Sequence, residues 1–265
     1  MCAKLNQVLS RFIPEGAVKE TFKSCYYSAY YNRKHFKENN FRVYYRAGHF
    51  EYSFDEGIRF SSYEKMADEL KRSLKGYLAK YSLKSGDTVI DCGAYIGEFT
   101  LYAAAAVGPT GRVIAFEPDA GIYGRLLANI ELNGAKNITA VNKGLWSRDD
   151  VLKFVGDSVK GYSFMPGRDA PAAVETPVVS LDNELVRLKV GAVDFIKADV
   201  EGSEIELIKG AMKTLCAGRV MAAIASYHTV DGKKSCFELE EALARMGYNS
   251  ETGHPAHLTT YAWKR

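Results

Sequence analysis

Between Thr88 and Val107 the chain reads Thr-Val-Ile-Asp-Cys-Gly-Ala-Tyr-Ile-Gly-Glu-Phe-Thr-Leu-Tyr-Ala-Ala-Ala-Ala-Val. An apolar run closes on an acid, a glycine-bounded turn follows, and a helix-forming apolar run comes next. That order is strand, tight turn, helix: the opening βα unit of a nucleotide-binding sheet. Gly93 and Gly97 let the backbone pass close to a ligand, because a Cβ at either place would obstruct it. The dinucleotide pattern G-x-G-x-x-G is absent. The turn is Asp91-Cys92-Gly93-Ala94-Tyr95-Ile96-Gly97, with the acid ahead of the first glycine. An anion there repels phosphate and suits a ligand with a cationic end.

Strands and helices alternate from Asp87 onward. The expected strands are Thr88–Asp91, Arg112–Glu117, Ile138–Val141, Val193–Asp199 and Val220–Ser226, with closing strands at Tyr248–Glu251 and Leu258–Trp263. Helices are expected at Phe99–Val107, after Asp119 with Ile122, Leu126, Leu127 and Ile130 on one face, after Ser203, and about Cys236–Met246. Ser203 and Glu206 match a capping box. Val151–Val155 and Thr176–Ser180 read as extended, around a Gly/Pro-rich excursion. Such alternation gives an α/β fold, a mostly parallel sheet covered by helices on both faces and ending in an antiparallel strand. Ligands in such sheets sit at the carboxyl ends of the strands, where strand order reverses.

Ahead of this core the composition changes. Residues 1–85 hold 16 Lys and Arg against 9 Asp and Glu, and residues 86–265 hold 19 against 23. Ten of the seventeen tyrosines lie between Tyr26 and Tyr81. The break near Leu83-Lys-Ser-Gly86 divides a basic, Tyr-rich extension, 1–85, from a ligand-binding domain, 86–265. In the extension, Val18–Phe36 has helical spacing, Phe41–Tyr45 and His49–Phe54 read as a hairpin, and Ser62–Tyr81 reads as a helix with Met66, Leu70, Leu74 and Leu78 four apart. A basic surface of this kind is either a solvated face or a contact for an acidic substrate, a partner or a second copy of the chain. No run approaches the ~20 apolar residues of a membrane span. The first residues lack a signal-peptide pattern, and five scattered cysteines form no C-x-x-C pair. Reduced thiols in a cytoplasmic protein are expected.

Four positions past the turn can carry chemistry. Glu117 ends the second strand 24 residues after Gly93, where a carboxylate accepts hydrogen bonds from both ribose hydroxyls of an adenosine ligand. The bland alternative is an exposed strand-end acid. Asp199 and Glu201 follow the fourth strand, facing the ligand or capping the helix near Ser203. Lys197, two residues before Asp199, shares its face and could pair with it. His228 closes the fifth strand and could take a proton from a substrate hydroxyl, or simply pack. Asp199, Glu201 and His228 could instead ligate a divalent cation. They follow no fixed ligand spacing, and no metal is expected.

Three stretches together resemble the FkbM-type family of S-adenosylmethionine (SAM)-dependent methyltransferases: Val89–Thr100, Ala115-Phe-Glu-Pro-Asp119, and Asp194-Phe-Ile-Lys-Ala-Asp-Val-Glu-Gly-Ser-Glu-Ile-Glu-Leu-Ile-Lys-Gly-Ala211. The resemblance covers roughly residues 85 to 230. It implies a Rossmann-like class I methyltransferase fold with a seven-stranded sheet, SAM as cofactor, S-adenosylhomocysteine as product, and methyl transfer to a hydroxyl oxygen of a small molecule, sugar or lipid. On this resemblance Asp91, Gly93, Ala94, Tyr95 and Gly97 shape the amino-acid end of the SAM pocket. Glu117 holds the ribose, and Asn142 or Gly144 borders the adenine. Asp199, Glu201 and His228 face the methyl and the acceptor, with Asp199 also counted in the cofactor pocket. The chain departs from the family pattern at two places: Tyr95 stands where Asn is common, and Cys92 where a small or apolar residue is usual. The rival readings are a non-catalytic SAM-binding module on the same fold and an NAD-dependent oxidoreductase. No nucleic-acid partner is expected, since the chain has neither an N/D-P-P-Y/F tetrapeptide nor a Pro-Cys nucleophile pair.

Overall fold

The structure is a computed structural model that describes residues 17–35, 41–46, 48–54, 57–64, 66, 73–157, 161–164, 173–218, 220–230, 233–254 and 257–264. The chain divides into two compact units, Met1–Lys71 and Arg72–Arg265.

In the first unit, helix α1 (Ala17–His35) precedes an antiparallel sheet of β1 (Phe41–Arg46), β2 (His49–Phe54) and β3 (Arg59–Ser62). Asn32 ties the helix to the sheet: its amide donates to the Val43 carbonyl at 2.9 Å and its oxygen accepts the Val43 N–H at 2.8 Å. The helix and hairpin follow the sequence expectation, and β3 extends the hairpin. Ser62 therefore ends a strand instead of starting a helix. Met66 lies outside helix, its N–H donating to the Tyr52 hydroxyl at 2.7 Å. Of the helix expected over 62–81, residues 73–77 form one turn, α2, in the second unit, and Leu70 lies outside the described residues. The structural division thus falls ahead of the charge break near residue 85.

The second unit is built on seven strands in the order β15-β16-β12-β11-β4-β5-β6. These are β4 (Thr88–Cys92), β5 (Arg112–Phe116), β6 (Ile138–Val141), β11 (Phe195–Ala198), β12 (Met221–Ala225), β15 (Asn249–Gly253) and β16 (Thr259–Trp263). All neighbours pair parallel except β16, which runs antiparallel to both β12 and β15. Alternate residues of the central strands feed opposite faces, as the two-residue strand period requires. Ile90, Ile114, Ile196 and Ile224 join Leu181, Leu207, Leu239 and Leu243 in one layer. Val89, Val113, Phe195 and Ala223 join Tyr77, Phe99 and Val107 in the other. The strands are buried on both faces, so they read as continuous apolar runs. The covering helices are α3 (Glu98–Val107), α4 (Ala120–Leu132), α5 (Leu181–Arg187), α6 (Glu204–Gly210), α7 (Met212–Ala217) and α8 (Ser235–Arg245). Two short strands ahead of α8, β13 (Thr229–Val230) and β14 (Lys233–Lys234), pair antiparallel apart from the main sheet.

The Gly/Pro-rich excursion leaves the main sheet. Strands β7 (Gly144–Leu145), β8 (Asp150–Asp157), β9 (Gly161–Phe164) and β10 (Ala173–Val179) form a small sheet in the order β7-β10-β8-β9. The chain moves outward from β4 through β5 to β6, then returns to β11 on the other flank of β4. Strand order therefore reverses between β4 and β11, and the crevice beyond their carboxyl ends is where a ligand is expected.

Candidate active site

The turn after β4 is shaped by backbone that only particular residues tolerate. Gly93 has φ +77°, and a Cβ there would stand 1.9 Å from the Asp199 carbonyl oxygen. The first glycine turn and the end of β11 are in direct backbone contact, so any larger residue would force the switch point open. Gly97 has φ +98°, with Leu126 against the space its Cβ would need. Between them Tyr95 has φ +50°, a left-handed conformation that favours Gly and Asn. Ala94 is buried, and its N–H, like that of Gly93, donates to the Phe116 carbonyl, at 2.8 and 3.0 Å.

Asp91 is fully buried. One of its oxygens lies 2.9 Å from Lys197 Nζ, and the other accepts the Thr100 hydroxyl at 2.5 Å. Lys197 sits opposite Asp91 in the β4–β11 register and also donates to the Gly93 carbonyl at 2.6 Å. One sequence reading changes here. Lys197 pairs with the acid of the neighbouring strand instead of with Asp199. The Asp91 carboxylate is buried, where it anchors the turn through Lys197. Cys92 is fully buried beside it, and burial pushes its thiol up, making it an inert core residue.

Glu117 follows β5, nearly buried. Its two oxygens accept the Tyr95 and Asp119 N–H groups, each at 2.9 Å. Burial raises its carboxyl from the ordinary 4.5 to about 7, against those two hydrogen bonds. Each carboxylate oxygen keeps a second lone pair, so the group remains able to accept from a diol. Asn142 is exposed and donates to the Glu117 carbonyl at 2.8 Å and the Pro118 carbonyl at 3.1 Å, fixing the strand end that carries the carboxylate. Gly144 is buried in β7, its partner being Val178 of β10.

Across the switch point, Asp199 is the hub of a polar cluster. It accepts the Tyr77 hydroxyl at 2.7 Å and the Tyr227 hydroxyl at 3.0 Å. His228 Nε2 lies 3.6 Å from Asp199 and 3.2 Å from Glu201, and its Nδ1 lies 2.8 Å from Glu204. These are close charge contacts, and neither ring nitrogen has a well-aligned hydrogen bond. Burial alone would lower the His228 pKa, but Glu201, Glu204 and Asp199 together raise it to about 10. Among protein groups alone the ring is therefore an imidazolium near neutral pH, with no lone pair for a substrate proton. A histidine base would need the neutral ring, whereas the three carboxylates beside it favour the charged one. Glu201 reaches the cluster from a left-handed backbone, φ +52°, followed by Gly202 at +96°.

Sequence reading missed Tyr77, Tyr227, Glu204 and His257. The His257 ring lies 3.2 Å from the Tyr77 hydroxyl and 4.0 Å from Asp199. Tyr227 and Glu204 adjoin residues already singled out, so adjacency was a usable signal. Tyr77 and His257 lie far from the motifs in sequence and carried none. The capping box does not form. Ser203 has φ −94° and ψ +11°, off the extended conformation a cap needs, while Glu206 pairs with Lys209 and Glu204 accepts the Gly202 N–H at 3.1 Å.

A reversed-order parallel sheet with one antiparallel strand, a glycine turn at the switch point and an acid ending the next strand define a class I methyltransferase fold. Residues 91–250 match the methyltransferase FkbM domain. The chain belongs to that family. It is 29% identical over 161 residues to "Methyltransferase sdnD" of Sordaria araneosa, covering 49% of this chain and 62% of that one. With "Methyltransferase 1" of Beauveria bassiana (strain ARSEF 2860) it is 26% identical over 148 residues, covering 46% and 57%. The chain thus matches less than two thirds of the length of these curated relatives. The crystal structure of methyltransferase FkbM from Methylobacillus flagellatus KT shares the fold, with TM-score 0.52 and 22% identity, over 70% of this chain and 45% of that one. SAM is the cofactor of this family. The Gly93–Asp199 backbone contact and the Glu117 acceptor fit an adenosine ligand with a compact charged end. No helix among the described residues is long and apolar enough to cross a membrane.

Proposed function

We propose that this chain is a SAM-dependent methyltransferase acting on a hydroxyl oxygen of a small molecule, sugar or lipid. Bound SAM supplies a methyl group already activated on a sulfonium, so the protein's task is alignment and proton removal. The Gly93–Gly97 turn holds the amino-acid end of the cofactor, Glu117 accepts from its ribose, and Asn142 and Gly144 flank the adenine side. Asp199, Glu201 and His228 receive the acceptor, with a carboxylate of the cluster taking the hydroxyl proton.

The observation that supports this reading most is the approach of Gly93 to the Asp199 carbonyl. It sets the proposed cofactor turn directly against the acid cluster, so a methyl carried by one adjoins an oxygen held by the other. The test compares native hydroxylated metabolites and lipids by mass spectrometry, with and without the gene. Loss of one methyl (14 mass units) from a hydroxyl compound, restored by adding back the gene, is expected. A methyl lost from nitrogen or carbon instead would overturn the hydroxyl assignment.

A further inference from the structure

We infer that Asp199, Glu201 and His228 form a binding site for one divalent transition ion, with Mn²⁺ preferred over Mg²⁺, and that Glu204 positions the histidine for it. One ligand atom from each of the three lies within 4.8 Å of the others. An ion at ~2.1 Å from each donor puts neighbouring donors ~3 Å apart and opposite ones ~4.2 Å apart. The 3.2 and 3.6 Å separations of His228 Nε2 from Glu201 and Asp199 are in that range, and the half-exposed Glu201 side chain can close the remainder.

Three observations separate this from an internal salt bridge. First, the buried Nε2 of His228 lacks a well-aligned hydrogen bond although the Asp199 and Glu201 carboxylates stand beside it. Nε2 and the oxygens of Asp199 and Glu201 converge without bonding one another, as donors directed at a shared ion do. Second, fully buried Glu204 faces Nδ1 at 2.8 Å. A proton kept on that side leaves the Nε2 lone pair for the ion, the carboxylate–histidine–metal relay found behind many metal-bound imidazoles. Third, the charges do not balance. Three carboxylates surround one imidazole, and the buried Lys197 ammonium is paired to Asp91. Tyr77, Tyr227 and His257, the other groups on Asp199, bring no fixed positive charge.

The donor set chooses the ion. Mg²⁺ takes oxygen ligands and keeps its waters, whereas an imidazole with two carboxylates suits a first-row transition ion. The inference does not require the methyl-transfer reading, because it is tested on the full-length chain with no SAM or acceptor present. Mn²⁺ is titrated into the chelator-treated protein and free Mn²⁺ is followed by electron paramagnetic resonance. One saturable Mn²⁺ per chain is expected, with Mg²⁺ competing at least about tenfold more weakly. Glu204→Gln should weaken Mn²⁺ about 10- to 100-fold. Glu201→Gln, at a half-exposed side chain whose loss leaves the core untouched, should also weaken it and serves if the Glu204 variant does not fold. No saturable Mn²⁺ binding, Mg²⁺ binding as tight as Mn²⁺, or Mn²⁺ affinity unchanged in Glu201→Gln would each overturn the inference. Any of these results would leave methyl transfer to be judged by its own test.

Discussion

Glu117 connects burial to ligand binding at a single carboxylate. Its pKa is raised to about 7 by burial, so the folded chain retains a proton that the unfolded chain, near the ordinary 4.5, releases. Across that window the folded state binds more protons, and its stability contribution is lost as pH rises from 4.5 to about 7. Ligand binding has the opposite sign. Ribose hydroxyls donate to the charged form, so a bound adenosine lowers this pKa, and SAM affinity should rise as pH increases through about 7. The slope should approach tenfold per unit on the acid side. Glu98, which burial also raises to about 7, is a second group in the same range. Calorimetric SAM titrations across pH on the native chain and on Glu117→Gln separate them. The Glu117 variant should lose most of the pH dependence, and an unaltered slope would assign it to Glu98.

At the scale of one turn, Tyr95 occupies a left-handed conformation that costs a bulky residue about 1–2 kcal/mol and costs Asn less. Tyr95→Asn should therefore stabilise the chain by about 1 kcal/mol, read as a raised denaturant midpoint with unchanged slope. A lowered midpoint would mean that packing of the ring beside Arg125, whose guanidinium lies 5.8 Å from its centroid, outweighs the strain. This turn also shows what the sequence could reveal. The strand, the two glycines and the strand-end acids were legible because each is local: a two-sided buried strand makes an unbroken apolar run, and a positive φ demands glycine. The partners of those residues were not legible, because register set them. Lys197 meets Asp91 only because β11 lies beside β4, and Tyr77 and His257 reach Asp199 from opposite ends of the domain. Of the helix expected over 62–81, the described residues are helical only over 73–77. Ser62 pairs in β3 and Met66 is buried outside helix with its N–H on the Tyr52 hydroxyl, long-range partners that a four-residue apolar spacing does not reveal.

For the whole molecule, the division at Lys71/Arg72 makes α2 part of the second unit. Tyr77 is buried against Phe99, Tyr81 stacks on Phe195 at 5.0 Å, and the Tyr261 hydroxyl donates to the Gly76 carbonyl at 2.6 Å. Burying each such aromatic side chain contributes roughly 1.5–3 kcal/mol. A truncated chain beginning at Arg72 should keep a cooperative melt and SAM binding, while one beginning at Ser82 should lose several degrees of thermal midpoint or fail to fold. Equal melting of the two would show that this turn adds nothing to the domain. The central claim is that the switch point between β4 and β11 holds SAM, with Glu117 as its ribose acceptor. Its most direct test is calorimetric titration of the full-length chain with SAM and, separately, with NAD. One SAM per chain, no heat from NAD, and a loss of about 1.5–3 kcal/mol of SAM binding in Glu117→Ala are expected. NAD binding without a SAM signal, or SAM affinity indifferent to Glu117, would contradict the account.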